Sequence, residues 1–573
     1  MSTAHMPQQS QSAPPTPPAA APPTPPHASE ATRLLCVGTY VDADYRDRVI
    51  EELRLNAQRF AAPSPGFDAA RVLAHALRAR THEWAWAGAI LALWFVGAVV
   101  TYGALALFVA PALTLSIAAW LRGRAVQPSL WRRVPAFLLR WFGRTFFALL
   151  LLGTVIGVFG GGAYSYALAE FLLPEWLLPD STDALKPWQT WITLVVFVLV
   201  ALCLARRRSQ FARAVRAELS PQRFPDAAGD PAERTENGPV QHLKNRIRTE
   251  QHAPLIMYHE ARPFCGAGAA HETWVLAVEL RPDSDKDQQP LSNRAVLEKV
   301  RPMLERLRVP AEHAAGVVRD RLRQMEIDEC VFLPAHGLQR REDTPYTPRA
   351  FEEHRARAVE EGAEKRRHFL RIRVGGWDEE LVVTVFVRVH TQGSMLMLEV
   401  APHVLLPVRA DFKEADRAAH RFLHHRRLRK AAWALTRVPR SFGDALAVLV
   451  RAAEYTWQLV TVRYMGARPE GPRQSVRELG SAPTGSQFQD MDGARYLKTI
   501  QDRIANGVRA ALAESGYQTG EFVQKVVNVS QGAVHIDRVE GSTFAVGSHA
   551  SASTSTVSEG AEPQRGRNTD AGE

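Results

Sequence analysis

Residues 84–121 read WAWAGAILALWFVGAVVTYGALALFVAPALTLSIAAWL, 38 positions without one Asp, Glu, Lys or Arg. A helix crosses a bilayer in about 20 residues. The stretch therefore fits two short spans of about 18 residues, each roughly 27 Å long at 1.5 Å per residue. Thr101-Tyr102-Gly103 is where the chain would turn between them. Two more charge-free stretches follow at 145–169 and 188–205, the last closed by Arg206-Arg207-Arg208. Four spans result, over 84–205.

Loop charge gives the orientation, because basic loops stay in the cytoplasm. Residues 122–144 hold six Arg and no acid, whereas 170–187 hold four acids and one Lys. Both termini are then expected on the cytoplasmic side, with Arg71, Arg78 and Arg80 flanking the first span. Trp84, Trp86 and Trp120 would mark the inner interface, and Trp176, Trp188 and Trp191 the outer one.

The whole chain carries 70 Lys plus Arg against 60 Asp plus Glu, a net of +10. Residues 84–220 hold twelve of the bases and five of the acids, so +7 of that excess lies in and beside the apolar stretches. Such placement marks membrane orientation and argues against a nucleic-acid partner. The four cysteines, Cys36, Cys203, Cys265 and Cys330, form no close pair, which leaves no zinc site and no disulfide framework to read.

Within the third span Gly153, Gly157 and Gly161 are four apart and share a helix face. Glycines there let another helix approach, either inside the four-helix bundle or in a homo-oligomer. No span holds an ionisable residue of the kind proton relays and ion pathways use. The basic loop places Arg133, Arg140 and Arg144, with Arg132 beside them, among Trp131, Phe137 and Trp141. A cationic face of that kind suits anionic lipid head groups in an in-plane helix, or it serves topology alone.

Residues 1–31 are Pro-rich and expected to be disordered. Residues 34–41 have the composition of a strand, followed by a helix that Asp42 or Asp44 would cap, and residues 68–80 look helical. This short segment, 32–83, is thin for an independent core and is expected to pack on the C-terminal part. Residues 206–250 read as a basic helix and then a polar linker. Residues 251–410 read as an α+β domain with an antiparallel sheet: strands at 255–259, 273–280 and 327–333, helices at 293–309 and 310–325. A meander is expected at 368–374, 381–390 and 395–400. In its middle strand apolar residues alternate with Thr384, Arg388 and His390, the pattern of a half-buried strand. Residues 411–530 read as helical, with 440–463 a core helix and not a fifth span, since Asp444, Arg451 and Glu454 interrupt it. The segment 526–541 alternates around a Gly and reads as a hairpin, and 531–573 otherwise as a disordered tail.

Few residues point to chemistry. Gly266-Ala-Gly268 begins a dinucleotide fingerprint, but His271 stands at the third glycine position and a strand follows, so a turn is the better reading. His420, His424 and His425 resemble one histidine box of membrane di-iron hydroxylases and desaturases; His420 and His424 share a helix face. Arg421, Arg426, Arg427, Arg429 and Lys430 surround them and disfavour a metal cation, so a basic solvated helix is expected. The acids Asp378, Glu379 and Glu380 sit at a hairpin turn and read as solvated. No residue is assigned to catalysis and no cofactor is implied.

The layout as a whole resembles uncharacterised actinobacterial multi-pass membrane proteins. The residues carrying this are the 34–53 start, Pro263-Phe264-Cys265-Gly266 and the Gly375-Gly376-Trp377-Asp378 hairpin. The resemblance implies no activity. The expectation is a membrane anchor presenting a cytosolic α+β domain for sensing, scaffolding or binding a cytosolic protein partner. Two further classes stand beside it: an oligomeric pore or membrane-perturbing effector, and a membrane-bound enzyme with an unrecognised site.

Overall fold

In the computed structural model, the residues described are 24–123, 129–160, 186–234, 238–308, 322, 324–360, 365–376, 380–424, 427–464 and 468–530. Four helices among them are long and apolar enough to cross a membrane. The first, α3 (Ala69–Val100), runs unbroken for 32 residues. It starts where Asp68 caps the amides of Ala70 and Arg71. It ends where Tyr102 and Gly103 take left-handed backbone, at φ 49° and 93°. Only a residue without Cβ adopts the second value at no cost. The expected turn at 101–103 is therefore present. A short 3-10 turn leads into α4 (Val109–Arg122). The third apolar helix, α5 (Leu130–Gly160), includes the basic segment as its own first half. The fourth, α6 (Pro187–Arg213), continues past the triple arginine into one π turn ending at Glu218.

The N-terminal segment corrects the expected strand. Residues 34–41 lie in α1 (Glu30–Val41), capped by Ser29 through the Thr32 amide. Every residue from Thr32 to Tyr40 is buried. A helix wrapped on all sides shows no 3.6-residue alternation, and its β-branched and aromatic residues then imitate a strand. The next helix, α2 (Ala43–Ile50), is capped by Asp42, as one of the two expected candidates.

The polar linker is a second correction. Residues 221–234 form turns and α7 (Gly238–His252) is a helix, all packed into the molecule. Phe224, Ala232, Lys244 and Ile247 are each at most 1% exposed. Asp230 is the reason this polar stretch can be buried. Its carboxylate accepts from Arg71 (2.7 and 3.0 Å) and pairs with His75 Nε2 (2.9 Å). The Arg71 guanidinium also lies 3.7 Å over the Phe224 ring. Burial alone would raise the Asp230 pKa; hydrogen bonds from His75 and Arg71 overcome it and hold the carboxyl well below its ordinary value.

The C-terminal part carries a seven-stranded curled sheet: β1 (Leu255–Tyr258), β2 (Ala269–Ala270), β3 (Trp274–Glu279), β4 (Met325–Pro334), β5 (Arg367–Gly376), β6 (Leu381–Gln392) and β7 (Met395–Leu405). The order is β1-β4-β5-β6-β7-β2, with β3 also on β7. The sheet is mixed, not purely antiparallel, because β1 and β4 run parallel, with Leu255 opposite Val331. Between them the chain crosses to the far edge as β2 and β3 and returns through α8 (Asn293–Glu305), the crossover that a parallel pair needs. The meander β5-β6-β7 is as expected. Its middle strand is buried on both faces, not half-buried: Thr384 and Arg388 are as covered as Val383 and Val387.

One face of the sheet packs on α8 and α14 (Gln487–Glu514) through Leu370, Ile372, Val385, Val387 and Leu398. Between these elements lie α9 (Pro348–Glu360), α10 (Ala410–His424), α11 (Arg427–Leu435), α12 (Val438–Tyr464) and the short α13 (Val476–Leu479). The chain ends, among described residues, in α15 (Gly520–Ser530). That helix overturns the hairpin reading for its first residues; 531–541 lie outside the described residues, as do residues 310–321 of the helix expected at 310–325, whose last residue, Met325, instead opens β4. Residues 1–23 and 531–573 of the expected disordered tails lie outside as well, while Pro26–Ala28 forms a 3-10 turn.

The helix α12 is not a simple core helix. It lies antiparallel along α3, with Tyr455 beside Trp84 and Ser441 beside Trp94, and it also packs on α4. Its partner α11 packs on α6. Ala434, Val438, Ala445 and Val448 share one buried cluster with Trp94, Phe108, Phe147 and Phe197 of the apolar helices. A second apolar stripe on α12, formed by Leu446, Val450, Trp457 and Val460, faces outward. Those residues fall within a narrow arc at 100° per residue.

Candidate functional site

The sheet face away from α8 and α14 carries charge where a core would carry hydrocarbon. The register puts Asp328 opposite Arg371, which faces Phe386, and Glu326 opposite Arg373, which faces Thr384. Arg371 Nε donates to Asp328 at 2.8 Å and Arg373 Nη1 to Glu326 at 3.0 Å. Burial disfavours the Arg371 cation, but Asp328 overcomes this and raises its pKa further. Arg373 Nε is buried without a hydrogen-bond partner among the described residues. Phe264 stacks over this face, 4.7 Å from Phe386, 4.8 Å from His403 and 5.4 Å from Phe332.

A lid closes the face. Pro63, Pro65, Phe67 and Arg477 line it together with the glycine turn. The turn explains Gly266-Ala-Gly268: both glycines have φ near 100°, and both amides donate to Glu478 Oε1, at 2.8 and 3.1 Å. Two convergent backbone N–H groups make an anion nest, and here a carboxylate of the chain itself fills it. The turn expected from sequence is present. The space left beneath the lid is about 40 Å³, room for a few waters. Burial raises the Cys265 thiol well above its usual range and pushes Cys330 up to about 12, so neither is held as a reactive thiolate.

A second hollow, about 440 Å³, centres on Glu329. Its carboxylate meets His368 Nε2 (3.2 Å), Arg355 Nη1 (2.9 Å) and Arg301 Nη1 (2.9 Å). The His368 hydrogen bond, with Arg355 adding to it against burial, lowers its pKa to about 2. One carboxylate thereby ties α8, α9, β4 and β5 together.

The residues singled out from sequence fall as follows. Gly153 and Gly157 are buried within the chain, and Gly161 lies outside the described residues. Close approaches along the apolar helices occur at three further glycines that were not singled out. A Cβ on Gly97 would meet Leu105 at 2.6 Å, on Gly143 Thr114 at 2.6 Å, and on Gly443 Ser116 at 2.0 Å. They are isolated in sequence, so no spacing could flag them. Arg132, Arg133 and Arg144 are exposed on α5, and Arg140 is half-buried within electrostatic reach of Arg122, Arg144 and Arg440. His420 and His424 are exposed with ring centroids 4.0 Å apart, and the His424 ring bonds the His420 carbonyl. His425 lies outside the described residues, and among those residues no three His, Cys, Asp or Glu gather as a metal site. Glu380 pairs with Lys413 at 2.7 Å; Asp378 and Glu379 lie outside the described residues.

An AbeC-like domain is found at residues 273–544. It begins at β3, so β1, β2 and the Pro63–Phe67 and glycine-turn parts of the lid lie before it, whereas Arg477, Glu478, α11 and α12 lie inside it. No curated protein and no solved structure matches the chain.

Proposed function

We propose that the chain is an integral membrane anchor that holds its α+β domain at the inner membrane face, where the domain senses or binds a cytosolic protein partner. One observation carries this reading. The hairpin α11–α12, from the C-terminal half, is built into the side of the four apolar helices, with Trp94 Nε1 donating to Ser441 Oγ at 3.2 Å in a buried site. A domain tethered only for location would not need a shared core. A shared core couples movement in the bilayer to the soluble part.

Two further features support the placement. Arg207 Nη2 bonds Glu83 at 3.0 Å, so the start of the first apolar helix and the end of the last lie together, as an even number of crossings requires. Phe95, Val99, Trp120, Trp141 and Val198 project outward at 61–80% exposure, the surface that lipid covers.

The test is affinity purification of the full-length protein from its native membrane, compared with a chain stopped after residue 205. A soluble partner recovered only with the full-length chain supports the reading. Recovery of nothing but copies of the chain, in a large particle that survives the truncation, would overturn it in favour of a pore.

A further inference from the structure

At the foot of α3, where the long apolar run begins, the surface opens into a cleft of about 430 Å³. Arg54, Arg78, Arg80, Thr81, Trp84 and Tyr455 form its polar and aromatic wall, and no carboxylate among the described residues lines it. Glu51 and Glu454 are exposed nearby and take no part in the lining.

The carboxylates that pair with the arginines around the cleft are shared. Arg80 Nη2 donates to Asp47 at 2.8 Å, but Asp47 also serves Arg46 at 3.3 Å and Arg451 at 3.9 Å. Arg78 pairs with Glu218, and Glu83 is divided between Arg46 and Arg207. Five guanidiniums thus share three carboxylates. Arg54 adds a sixth, with no ion pair among the described residues.

Two atoms in the wall are left wanting. The Arg80 Nη1 group and the Tyr455 hydroxyl are buried and have no hydrogen-bond partner among the described residues. Both side chains are about nine-tenths buried, and the Arg80 guanidinium sits 4.3 Å over the Tyr455 ring. Polar groups shut off from water are nearly always paired, because an orphan forfeits its hydration without return. A cation fixed on an aromatic face, a spare hydroxyl and two further guanidiniums suit one ligand chemistry, a compact oxyanion with several acceptor oxygens. Trp84, Leu77 and Val240 supply an apolar side to the same cleft.

We propose that this cleft binds a phosphate group, presented by the head of an anionic phospholipid or by a soluble phosphate compound. The lipid source rests on the membrane reading above and the soluble source does not, so the two can fail separately.

The test uses the full-length protein and two variants, Arg54→Gln and Tyr455→Phe. Both spare the Arg80–Asp47 pair, and the second keeps the ring beneath Arg80. Their thermal midpoints in phosphatidylcholine nanodiscs establish that each is folded. Lipid retention is read by native mass spectrometry from nanodiscs of equal phosphatidylglycerol and phosphatidylcholine. The soluble source is read as the melting shift given by inorganic phosphate and pyrophosphate in phosphatidylcholine nanodiscs. Losing one charge-assisted hydrogen bond corresponds to about tenfold in affinity. Preferential retention of phosphatidylglycerol, reduced by about that factor in both variants, supports the head-group source. A phosphate-dependent rise in melting temperature, lost in both variants, supports the soluble source. Equal retention of the two lipids with no phosphate shift, or ligand effects that both variants leave intact, overturns the proposal.

Discussion

Trp94 and Ser441 stand 347 residues apart in the chain, yet the indole N–H of one donates to the hydroxyl of the other across 3.2 Å, with both side chains about 2% exposed. Ser441 Oγ in turn donates to the Val438 carbonyl at 2.7 Å. Trp94→Phe leaves the ring packing and removes the donor. The expected loss is about 1 kcal/mol, read as a lowered unfolding midpoint in detergent, with the fold unchanged.

Gly443 makes a sharper test of the same contact. A side chain there would overlap Ser116 and crowd the Ala112 carbonyl of α4. Gly443→Leu should lift α12 from α4 and cost about 1–3 kcal/mol. A lowered unfolding midpoint in detergent measures it.

Asp230 is the hub of a buried cluster with Arg71 and His75. Removing one partner of a buried pair strands the other charges, at about 3–5 kcal/mol. Asp230→Ala should therefore destabilise the helical core around α1 and α3. Urea unfolding followed by tryptophan fluorescence reports this; an unchanged midpoint would mean that the cluster contributes nothing.

Glu329 predicts a pH dependence. Its folded pKa lies near 2 against an ordinary 4.5, so the stability it adds is complete above pH 4.5 and drains away as the pH falls toward 2. Hydrogen exchange in 348–360 should be steady between pH 7 and 5 and accelerate below 4.5 beyond its intrinsic trend. Glu329→Gln should remove that excess.

Gly268 has φ +99°, and a Cβ there would come 2.3 Å from the Val404 carbonyl oxygen. Gly268→Ala should cost at least about 1–3 kcal/mol. It should also loosen the lid held by Glu478, seen as faster labelling of Cys265.

The sequence made some of this legible and hid the rest, for physical reasons. Charge-free runs, the Thr101-Tyr102-Gly103 turn and the β5–β7 meander are local signals, and the structure bears them out. Burial on every side erases the periodicity of α1, so its sequence imitates a strand. Residues 220–250 carry a linker's composition because their polar residues are satisfied by Arg71, His75 and Asp68, partners more than 150 positions away. The parallel placement of β1 beside β4 depends on a crossover, which no local pattern records. The cleft at the foot of α3 draws Arg54, Arg80 and Tyr455 from three distant segments, so only the folded chain brings its charge together.

The distance between Trp94 and Ser441 also sets an order of events during synthesis. At roughly 5–20 residues per second, the ribosome takes on the order of twenty seconds to a minute to pass from one to the other. Once α4 has been made, the sides of α3 and α4 that receive α12 wait for an occupant still to be synthesised. Lipid, a chaperone or a neighbouring nascent chain must keep them covered, and each must leave when residues 438–464 emerge. A late step in building this molecule is therefore an exchange of tenants along a finished helix, and a chain that stalls before residue 438 would be caught with that side open.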